Sequence, residues 1–273
     1  MSLETLRALE RRIEKEVPSF TIRFKNESPL MQALGALMYP FNQSFLADYT
    51  TTIGPTVYFP SKRDYEADPD SSLVTLAHEY VHIYDSKQAG FRFQLSYAAP
   101  QVYMLPVTLL YGILVTPWPV AVMIGAFVSF AILAKELKKP WLFWVLFVPA
   151  ILCALVWAVL ASGWLSLLLV AGLAFLGPWP SAGRTHWELR GYMMSVAVMA
   201  WRSAVALPDE TIVFFAKQFT GPDYYFMARG NDPEFELRVA MNRALKGQLQ
   251  LDAPYSTVHD FLVQQQRVSG RPA

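Results

Sequence analysis

The order of hydrophobic and polar residues divides the chain into a polar front (1–96), an apolar middle (97–180) and a polar back (181–273). In the front part, apolar residues recur every three or four positions from Ser2 to about Val17. This spacing predicts an amphipathic helix with Ser2 as its N-cap. Its apolar stripe either packs on the domain or lies on a membrane surface, and packing is the simpler interpretation.

Two strand-like segments follow this helix. Residues 20–24 alternate between apolar and polar positions, as a half-buried strand does. Residues 49–59 are rich in Thr, Ile, Val and aromatic residues, which favours extended structure. Gly54-Pro55 interrupts this second segment, which is therefore either one kinked strand or a hairpin.

The remaining polar parts are predicted to be helical. A polar loop over 61–70 leads into a helix over about 71–89, with an N-cap among residues 70–72 and a stop at Gly90. In the back part the helical pattern is broken by Gly and Pro residues. The helices predicted there cover about 184–205, 209–218, 233–248 and 256–266.

The apolar middle contains two long runs without Asp, Glu, Lys or Arg. The runs cover 97–134 and 140–183 and hold 38 and 44 residues. Because a membrane-spanning helix needs about 20 apolar residues, each run fits two spans. Pro117-Trp118-Pro119 and Ser162-Gly163-Trp164 are the predicted turns, which gives four transmembrane helices. The alternative is a buried helical core.

Composition and charge also favour an integral membrane protein. Apolar residues make up 53% of the chain, charged residues 16%, and the mean hydropathy is +0.25. Lys135, Lys138 and Lys139 lie in the predicted loop between the second and third spans. By the positive-inside rule this loop, and with it both polar parts, is predicted to be cytoplasmic.

Charge and cysteine content narrow the function classes further. The net charge is +1, which gives no general affinity for nucleic acid. The single cysteine, Cys153, cannot form an intrachain disulfide, and it indicates no cysteine-based metal site.

The predicted helix over 71–89 contains a metal-binding motif, His78-Glu79-x-x-His82. Residues four apart share one face of a helix, so His78 and His82 can hold one ion with Glu79 beside it. Neutral imidazoles suit Zn²⁺, and a neighbouring carboxylate can take a proton from a bound water molecule. The motif therefore predicts a catalytic zinc site, whereas the alternative is a surface helix with two solvated histidines.

A third zinc ligand is predicted at Glu188. Catalytic zinc ions have three protein ligands and one open position. A histidine six residues after His82 is ruled out because residue 88 is Gln88. Glu188 lies in an aromatic segment, where a buried carboxylate is costly unless it is paired or binds a metal. The alternative is a surface ion pair of Glu188 with Arg184 or Arg190.

This arrangement of His78-Glu79-x-x-His82 and a glutamate on a later helix resembles the gluzincin class of zinc peptidases. The segment 50–59 resembles the substrate-binding edge strand of that class. The resemblance covers about 45–90 and 184–205. It implies an α+β, mostly helical, zincin-like catalytic domain with a small N-terminal sheet, here split by a four-helix transmembrane insertion. It also implies that the edge strand pairs with an extended peptide.

The spacing between the ligands departs from compact gluzincins. There are 105 residues between His82 and Glu188, and 21 remain when the middle part is removed. The membrane-bound prenyl-protein and heat-shock zinc endopeptidases place their spans similarly, although here no span precedes the motif. Tyr192 stands where many family members have an acidic residue beside the metal site. Asp85, one turn after His82, is the residue we expect to orient a zinc-bound histidine.

These features together predict a multi-pass membrane zinc metallopeptidase that cleaves peptides or membrane proteins at the cytoplasmic face of the lipid bilayer. Glu79 is the expected general base. The oxyanion donor is expected among Tyr192, His186, Tyr224 and His259, with Tyr192 and His186 as the candidates we retain. A silent zinc-binding scaffold or adaptor, an intramembrane protease and a small transporter are the alternatives. The spans contain no Asp, Glu, Lys or Arg, which disfavours transport of ions.

Overall fold

The computed structural model describes residues 2–40, 42–99, 110, 114, 117–162, 181–221 and 232–268. These residues are mostly helical and include one small sheet. In chain order, the helices and strands are α1 (Leu3–Glu16), β1 (Thr21–Phe24), α2 (Pro29–Met38), β2 (Thr51–Ile53), β3 (Thr56–Phe59), α3 (Lys62–Ala67), α4 (Pro69–Ala89), α5 (Phe91–Ala98), α6 (Pro117–Glu136), α7 (Pro140–Ser162), α8 (Ala182–Ser203), α9 (Asp209–Thr220), α10 (Pro233–Leu245) and α11 (Tyr255–Val268).

The chain divides into two compact units. The first comprises Met1–Phe24, Thr50–Tyr97 and Pro180–Ala273, and the second comprises Lys25–Tyr49 and Ala98–Trp179. The first unit thus contains α4 and α8, the two helices that carry the predicted metal ligands.

The three strands form one sheet in the order β1-β3-β2. β2 and β3 are an antiparallel hairpin with its turn at Gly54, whose φ of 58° lies in the left-handed region that glycine adopts readily. Of the two alternatives for residues 49–59, the hairpin is therefore the one observed. β1 pairs with β3 in parallel. Within the described residues, β2 has a strand partner on one side only.

The core of the first unit lies between α1, α4, α8 and α11. Leu6, Leu9 and Ile13 of the apolar stripe of α1 are fully buried there and Leu3 at its start is exposed, so this helix packs on its own domain. Its N-cap is Ser2, as predicted, since the Ser2 hydroxyl accepts a hydrogen bond from the Thr5 amide at 3.2 Å. Buried residues of this core include Leu6, Leu9, Ile13, Leu76, Tyr80, Met194, Ala197, Tyr255, Val258 and Phe261.

The motif helix α4 is longer than predicted at its N-terminus. Its N-cap is Asp68, whose carboxylate accepts a hydrogen bond from the Ser71 amide at 3.1 Å, and not one of residues 70–72. Pro69 then occupies the first helical position, where its fixed φ is favourable and its missing N–H costs nothing. The helix ends as predicted before Gly90, which has a φ of 54°.

Helices α4 and α8 are joined by a buried ion pair as well as by apolar packing. Asp85 on α4 accepts hydrogen bonds from Arg190 on α8 at 2.8 and 2.9 Å, so both carboxylate oxygens are used. The Asp85 side chain is 4% exposed and that of Arg190 is 29% exposed. Burial works against the charge of Arg190, but the bond to Asp85 raises its pKa above the usual value. This pair fixes the two helices relative to each other.

The second unit contains a helical hairpin with an aromatic core. Ala131 and Ala134 on α6 and Phe143 on α7 are fully buried, and small alanines facing a large phenylalanine allow the helices to approach closely. Phe127 and Phe143 pack edge to face, with ring centroids 5.4 Å apart.

The predicted transmembrane insertion is wrong. No helix among the described residues has both the length and the apolar character that crossing a membrane requires. The fold class with four membrane spans and the localisation as a multi-pass membrane protein with a cytoplasmic site are therefore corrected. The prediction counted uncharged residues along the chain. In the structure Pro117 and Pro140 each begin a helix, and Ala131, Ala134 and Phe143 form a small core between the two helices. Other apolar side chains of these helices, such as Trp118, Val145 and Leu160, are exposed. Most of the first and fourth predicted spans (97–116 and 163–180) lies outside the described residues.

Removing the charge of Asp85 is expected to destabilise the first unit. In Asp85→Asn, the Arg190 charge stays partly buried without its partner, and we expect the free energy of unfolding to fall by about 2–3 kcal/mol. Asp252→Asn is the matched control, because Asp252 pairs with Arg243 at the surface, with side-chain exposures of 64% and 44%. The control is expected to lose less than about 1 kcal/mol. Urea unfolding measures both, and equal losses would contradict the role given to Asp85.

Candidate metal site

Three buried side chains converge between α4 and α8. His78 and His82 lie one turn apart on α4, and Glu188 faces them from α8. The Nε2 atoms of the two histidines are 3.1 Å apart. Oε2 of Glu188 lies 3.5 Å from Nε2 of His78 and 3.7 Å from Nε2 of His82. These three residues form a buried group that can hold a metal ion.

The spacing of the three atoms fits a small divalent cation. Ligands about 2.0–2.1 Å from a tetrahedral zinc ion lie about 3.3–3.4 Å from one another. The observed separations of 3.1, 3.5 and 3.7 Å scatter around that value. Two imidazoles and one carboxylate are also the donor set of several catalytic zinc sites, with the fourth position left to water. The residues present therefore fit a zinc ion.

The ionisation of His82 and Glu188 is strongly coupled. Burial alone would lower the pKa of His82, but the charge of Glu188 outweighs it and raises the pKa to about 9. Burial also works to raise the pKa of the Glu188 carboxyl, yet the two histidines hold this pKa well below its usual range. A metal ion binds neutral imidazole, so it competes with a proton for His82.

The orientation of His78 is set by Ser195. Nδ1 of His78 lies 3.3 Å from the Ser195 hydroxyl, which in turn donates to the Gly191 carbonyl at 3.4 Å. Because that hydroxyl uses its proton on the carbonyl, Nδ1 of His78 is the donor to it. This tautomer leaves the lone pair on Nε2 directed at the metal position.

Gly191 permits the close approach of the two helices. A Cβ atom at this position would stand 2.5 Å from Nε2 of His78, which is closer than real Cβ contacts come. Glu188, Gly191 and Ser195 follow one another at intervals of three and four residues, so they share the face of α8 that packs on α4. One helix face thus provides a ligand, the space for a histidine and that histidine's hydrogen-bond acceptor.

The predicted base, Glu79, is held by the edge strand. It is buried, and its Oε2 accepts a hydrogen bond of 2.6 Å from the Thr52 hydroxyl on β2. The other carboxylate oxygen is not used by Thr52. After burial and the charge of Glu188, the charge of Glu79 also acts on the pKa of His82 and raises it, so this carboxylate lies near the ligand group.

Glu188 is held by Tyr97 on α5. The Tyr97 hydroxyl donates a hydrogen bond to Oε1 of Glu188, the oxygen that does not face the histidines. Burial and the charge of Glu188 both raise the pKa of Tyr97 well above its usual value, so its hydroxyl is protonated at neutral pH. The ring of Tyr97 stacks on Phe93 and meets the ring of His82 edge on.

Asp85 does not have the role predicted for it. Both of its oxygens bind Arg190, and Nδ1 of His82 is buried with no hydrogen-bond partner within the described part of the chain. The two histidines are therefore unequal. His78 is oriented by Ser195, whereas His82 is held by packing against Phe93 and Tyr97.

Among the candidate oxyanion donors, Tyr192 contacts a predicted ligand, whereas His186 and His259 pack on tryptophan side chains. The ring of Tyr192 packs edge to face on His78 at 4.7 Å, so this residue belongs to the wall of the site. His186 is exposed and packs on Trp187, because a position two residues before Glu188 points to another side of the helix. His259 packs on Trp201. Tyr224 lies outside the described residues.

The polar residues that hold the site were not found by sequence reasoning. Ser195 had one usable indication, its spacing of seven residues from Glu188, which places both on one helix face. Thr52 and Tyr97 had none, because their contacts join segments that are distant in the chain.

Comparison with known proteins identifies no relative. No family model, no curated protein and no solved structure matches the chain. The gluzincin resemblance of the motif therefore stays a prediction.

Substituting Gly191 is expected to disrupt the ligand group. In Gly191→Ala, the new methyl group collides with His78, so we expect metal affinity to fall at least about tenfold and the free energy of unfolding to fall by about 1–3 kcal/mol. Gly125→Ala is the control, since a Cβ there meets nothing within 4 Å. Competition with a chelating dye measures the affinity. Unchanged affinity in Gly191→Ala would contradict the close approach.

The coupling of His82 and Glu188 predicts a pH-dependent stability of the metal-free protein. Because the pKa of His82 is higher in the folded protein, protonated His82 stabilises the fold. This stabilisation is complete below the ordinary pKa of 6.5 and is lost as the pH rises through about 9. Because the pKa of Glu188 is lower in the folded protein, ionised Glu188 also stabilises the fold. This stabilisation is complete above the ordinary pKa of 4.5 and is lost as the pH falls through the pKa of the folded state.

We therefore expect Glu188→Gln to be destabilised most between pH 4.5 and 6.5, and less as the pH approaches 9. The difference at its largest should be on the order of 2–3 kcal/mol. Urea unfolding of both proteins in a chelator, at a series of pH values, measures it. A difference that does not change with pH would show that the two groups are not coupled.

Proposed function

We propose that this protein is a zinc-dependent peptidase in which His78, His82 and Glu188 hold the metal and Glu79 is the general base. The observation that carries the proposal is the convergence of the three ligand atoms beside a buried carboxylate that is not itself a member of the ligand group. A purely structural zinc site has four protein ligands and needs no base. Three ligands with a neighbouring base favour catalysis.

Zinc is the metal that the donor set favours. Imidazole nitrogen suits Zn²⁺, Cu²⁺, Fe²⁺ and Ni²⁺, whereas Mg²⁺ and Ca²⁺ prefer oxygen. The separations of the ligand atoms match a tetrahedral ion, which is the usual geometry of zinc. A zinc ion held by His78, His82 and Glu188 would lower the pKa of a bound water molecule and would polarise the carbonyl that is attacked.

The protein's own residues supply the proton transfers and their geometry. Glu79 takes a proton from the attacking water with the oxygen that Thr52 leaves free, and passes it to the leaving amine. Thr52 holds the carboxylate in one orientation, so little reorganisation is needed when the proton moves. Tyr192, beside His78, is the candidate for stabilising the oxyanion.

We propose a peptide as the substrate, because β2 lies next to the predicted base and has an unpaired edge among the described strands. Thr52 joins this strand to the base, and β2 has an unpaired edge within the described sheet. Unpaired backbone N–H and C=O groups of an edge can pair with an extended peptide. The resemblance to gluzincins points to the same mode of binding. A peptide on this edge lies alongside the carboxylate that activates water.

The test compares Glu79→Gln with wild type for zinc content and for cleavage of a quenched fluorescent peptide library. Because Glu79 is the base and not a ligand, the variant should keep about one zinc ion per chain and lose activity by about 10²–10⁴-fold. Glu14→Gln, on the exposed side of α1, is the control and should match wild type in both.

Two results would contradict the proposal. Zinc-loaded wild type that cleaves no peptide in a diverse library would leave a metal-binding scaffold as the better description. Full activity in Glu79→Gln would show that the base is another residue.

A further inference from the structure

The two oxygens of the Glu188 carboxylate have different environments. Oε2 faces the Nε2 atoms of His78 and His82, at 3.5 and 3.7 Å. Oε1 accepts the hydrogen bond of the Tyr97 hydroxyl. A carboxylate can bind a metal through one oxygen or through both, and the second mode uses a coordination position that water would otherwise take.

Tyr97 is fixed in place independently of Glu188. Its ring stacks on Phe93, with centroids 5.6 Å apart and planes at 23°. Its carbonyl accepts a hydrogen bond of 3.1 Å from Nε of Arg184 on α8. The guanidinium of Arg184 also lies over the Tyr97 ring, 5.7 Å from its centroid.

The neighbouring residue strengthens this attachment of α5 to α8. The Ser96 hydroxyl accepts a hydrogen bond of 2.8 Å from the Trp187 indole. Gly183 on α8 is so close that a Cβ atom there would stand 2.3 Å from the Ser96 carbonyl oxygen. The backbone that carries Tyr97 is therefore held against the same helix that carries Glu188.

We propose that Tyr97 is a positioning residue that restricts Glu188 to one metal-ligating oxygen, and so keeps a coordination position open for water. The inference rests on the proposed metal site. It assigns a role to a hydroxyl that neither the motif nor the ligand set requires. The ring of Tyr97 packs, but the hydroxyl alone controls how the carboxylate meets the metal.

The test uses Co²⁺ in place of zinc, because its visible absorption weakens as the coordination number rises from four to five. Tyr97→Phe keeps the ring and its contacts with Phe93 and His82, and removes the hydroxyl. We expect Oε1 to turn to the metal, so that the absorption band weakens and shifts. Loss of the hydrogen bond should also lower metal affinity by about tenfold or more, measured with a competing chelator.

The matched control is Tyr65→Phe. Tyr65 is also buried and also donates a hydrogen bond to a carboxylate, at 2.7 Å to Glu10, but it does not contact the ligand group. Its Co²⁺ spectrum and affinity should equal those of wild type. Far-UV circular dichroism verifies that both variants fold.

The outcomes separate this inference from the proposed function. If wild type and Tyr97→Phe give the same Co²⁺ spectrum, the role assigned to Tyr97 is wrong although the metal site stands. A weaker affinity with an unchanged spectrum would likewise overturn it, because the hydroxyl would then affect stability and not coordination. If wild type binds no Co²⁺ and no Zn²⁺, the metal site itself is wrong.

Discussion

The close packing of α4 on α8 is the constraint on which the site depends. Each helix carries part of the ligand group, so no metal can be held unless the two backbones approach closely. Gly191 makes this possible, since any side chain there would occupy the space of the His78 ring. The buried ion pair of Asp85 and Arg190 joins the same two helices about one helical turn from the ligand group. The interface between α4 and α8 thus depends on apolar packing, on the absence of a side chain at Gly191, and on the ion pair of Asp85 and Arg190.

Each polar group of the site is held by a different element of the first unit. β2 holds Glu79 through Thr52, α5 holds Glu188 through Tyr97, and α8 holds His78 through Ser195. Buried polar groups are costly when unpaired, and a paired network keeps each donor and acceptor in one orientation. His82 is the exception, because its Nδ1 is buried without a partner within the described ranges. It is also the histidine whose pKa is raised, so it carries the proton that a metal displaces.

The three predicted ligands can be found from local sequence patterns, whereas the residues that hydrogen-bond to them cannot. Helical spacing places His78 and His82 on one face whatever the tertiary structure is. Glu188 could be predicted because a carboxylate among aromatic residues needs a partner. Asp85 was assigned to a histidine by its position in the helix, but Arg190 approaches from 105 residues further along the chain and takes both its oxygens. Contacts between distant segments leave no periodic pattern in the sequence.

The apolar middle of the chain shows the limits of counting residues. Long uncharged runs and an apolar composition predicted four membrane spans, and no described helix meets the requirements for one. In the second unit, apolar side chains such as Ala131 and Phe143 are buried between two helices. Composition does not distinguish apolar residues that face a neighbouring helix from those that would face lipid. The hairpin of β2 and β3, in contrast, was predicted as one of two alternatives, because Gly54 marks its turn.

X-ray absorption spectroscopy of the zinc-loaded protein identifies the atoms bound to the metal, so it tests whether His78, His82 and Glu188 hold the ion. Four nitrogen or oxygen ligands at about 2.0–2.1 Å are expected, with the outer-shell scattering of two imidazole rings. In His82→Ala, the scattering of one ring at most should remain. A zinc spectrum without imidazole, or one unchanged in His82→Ala, would show that the metal binds elsewhere and would contradict the site described between α4 and α8.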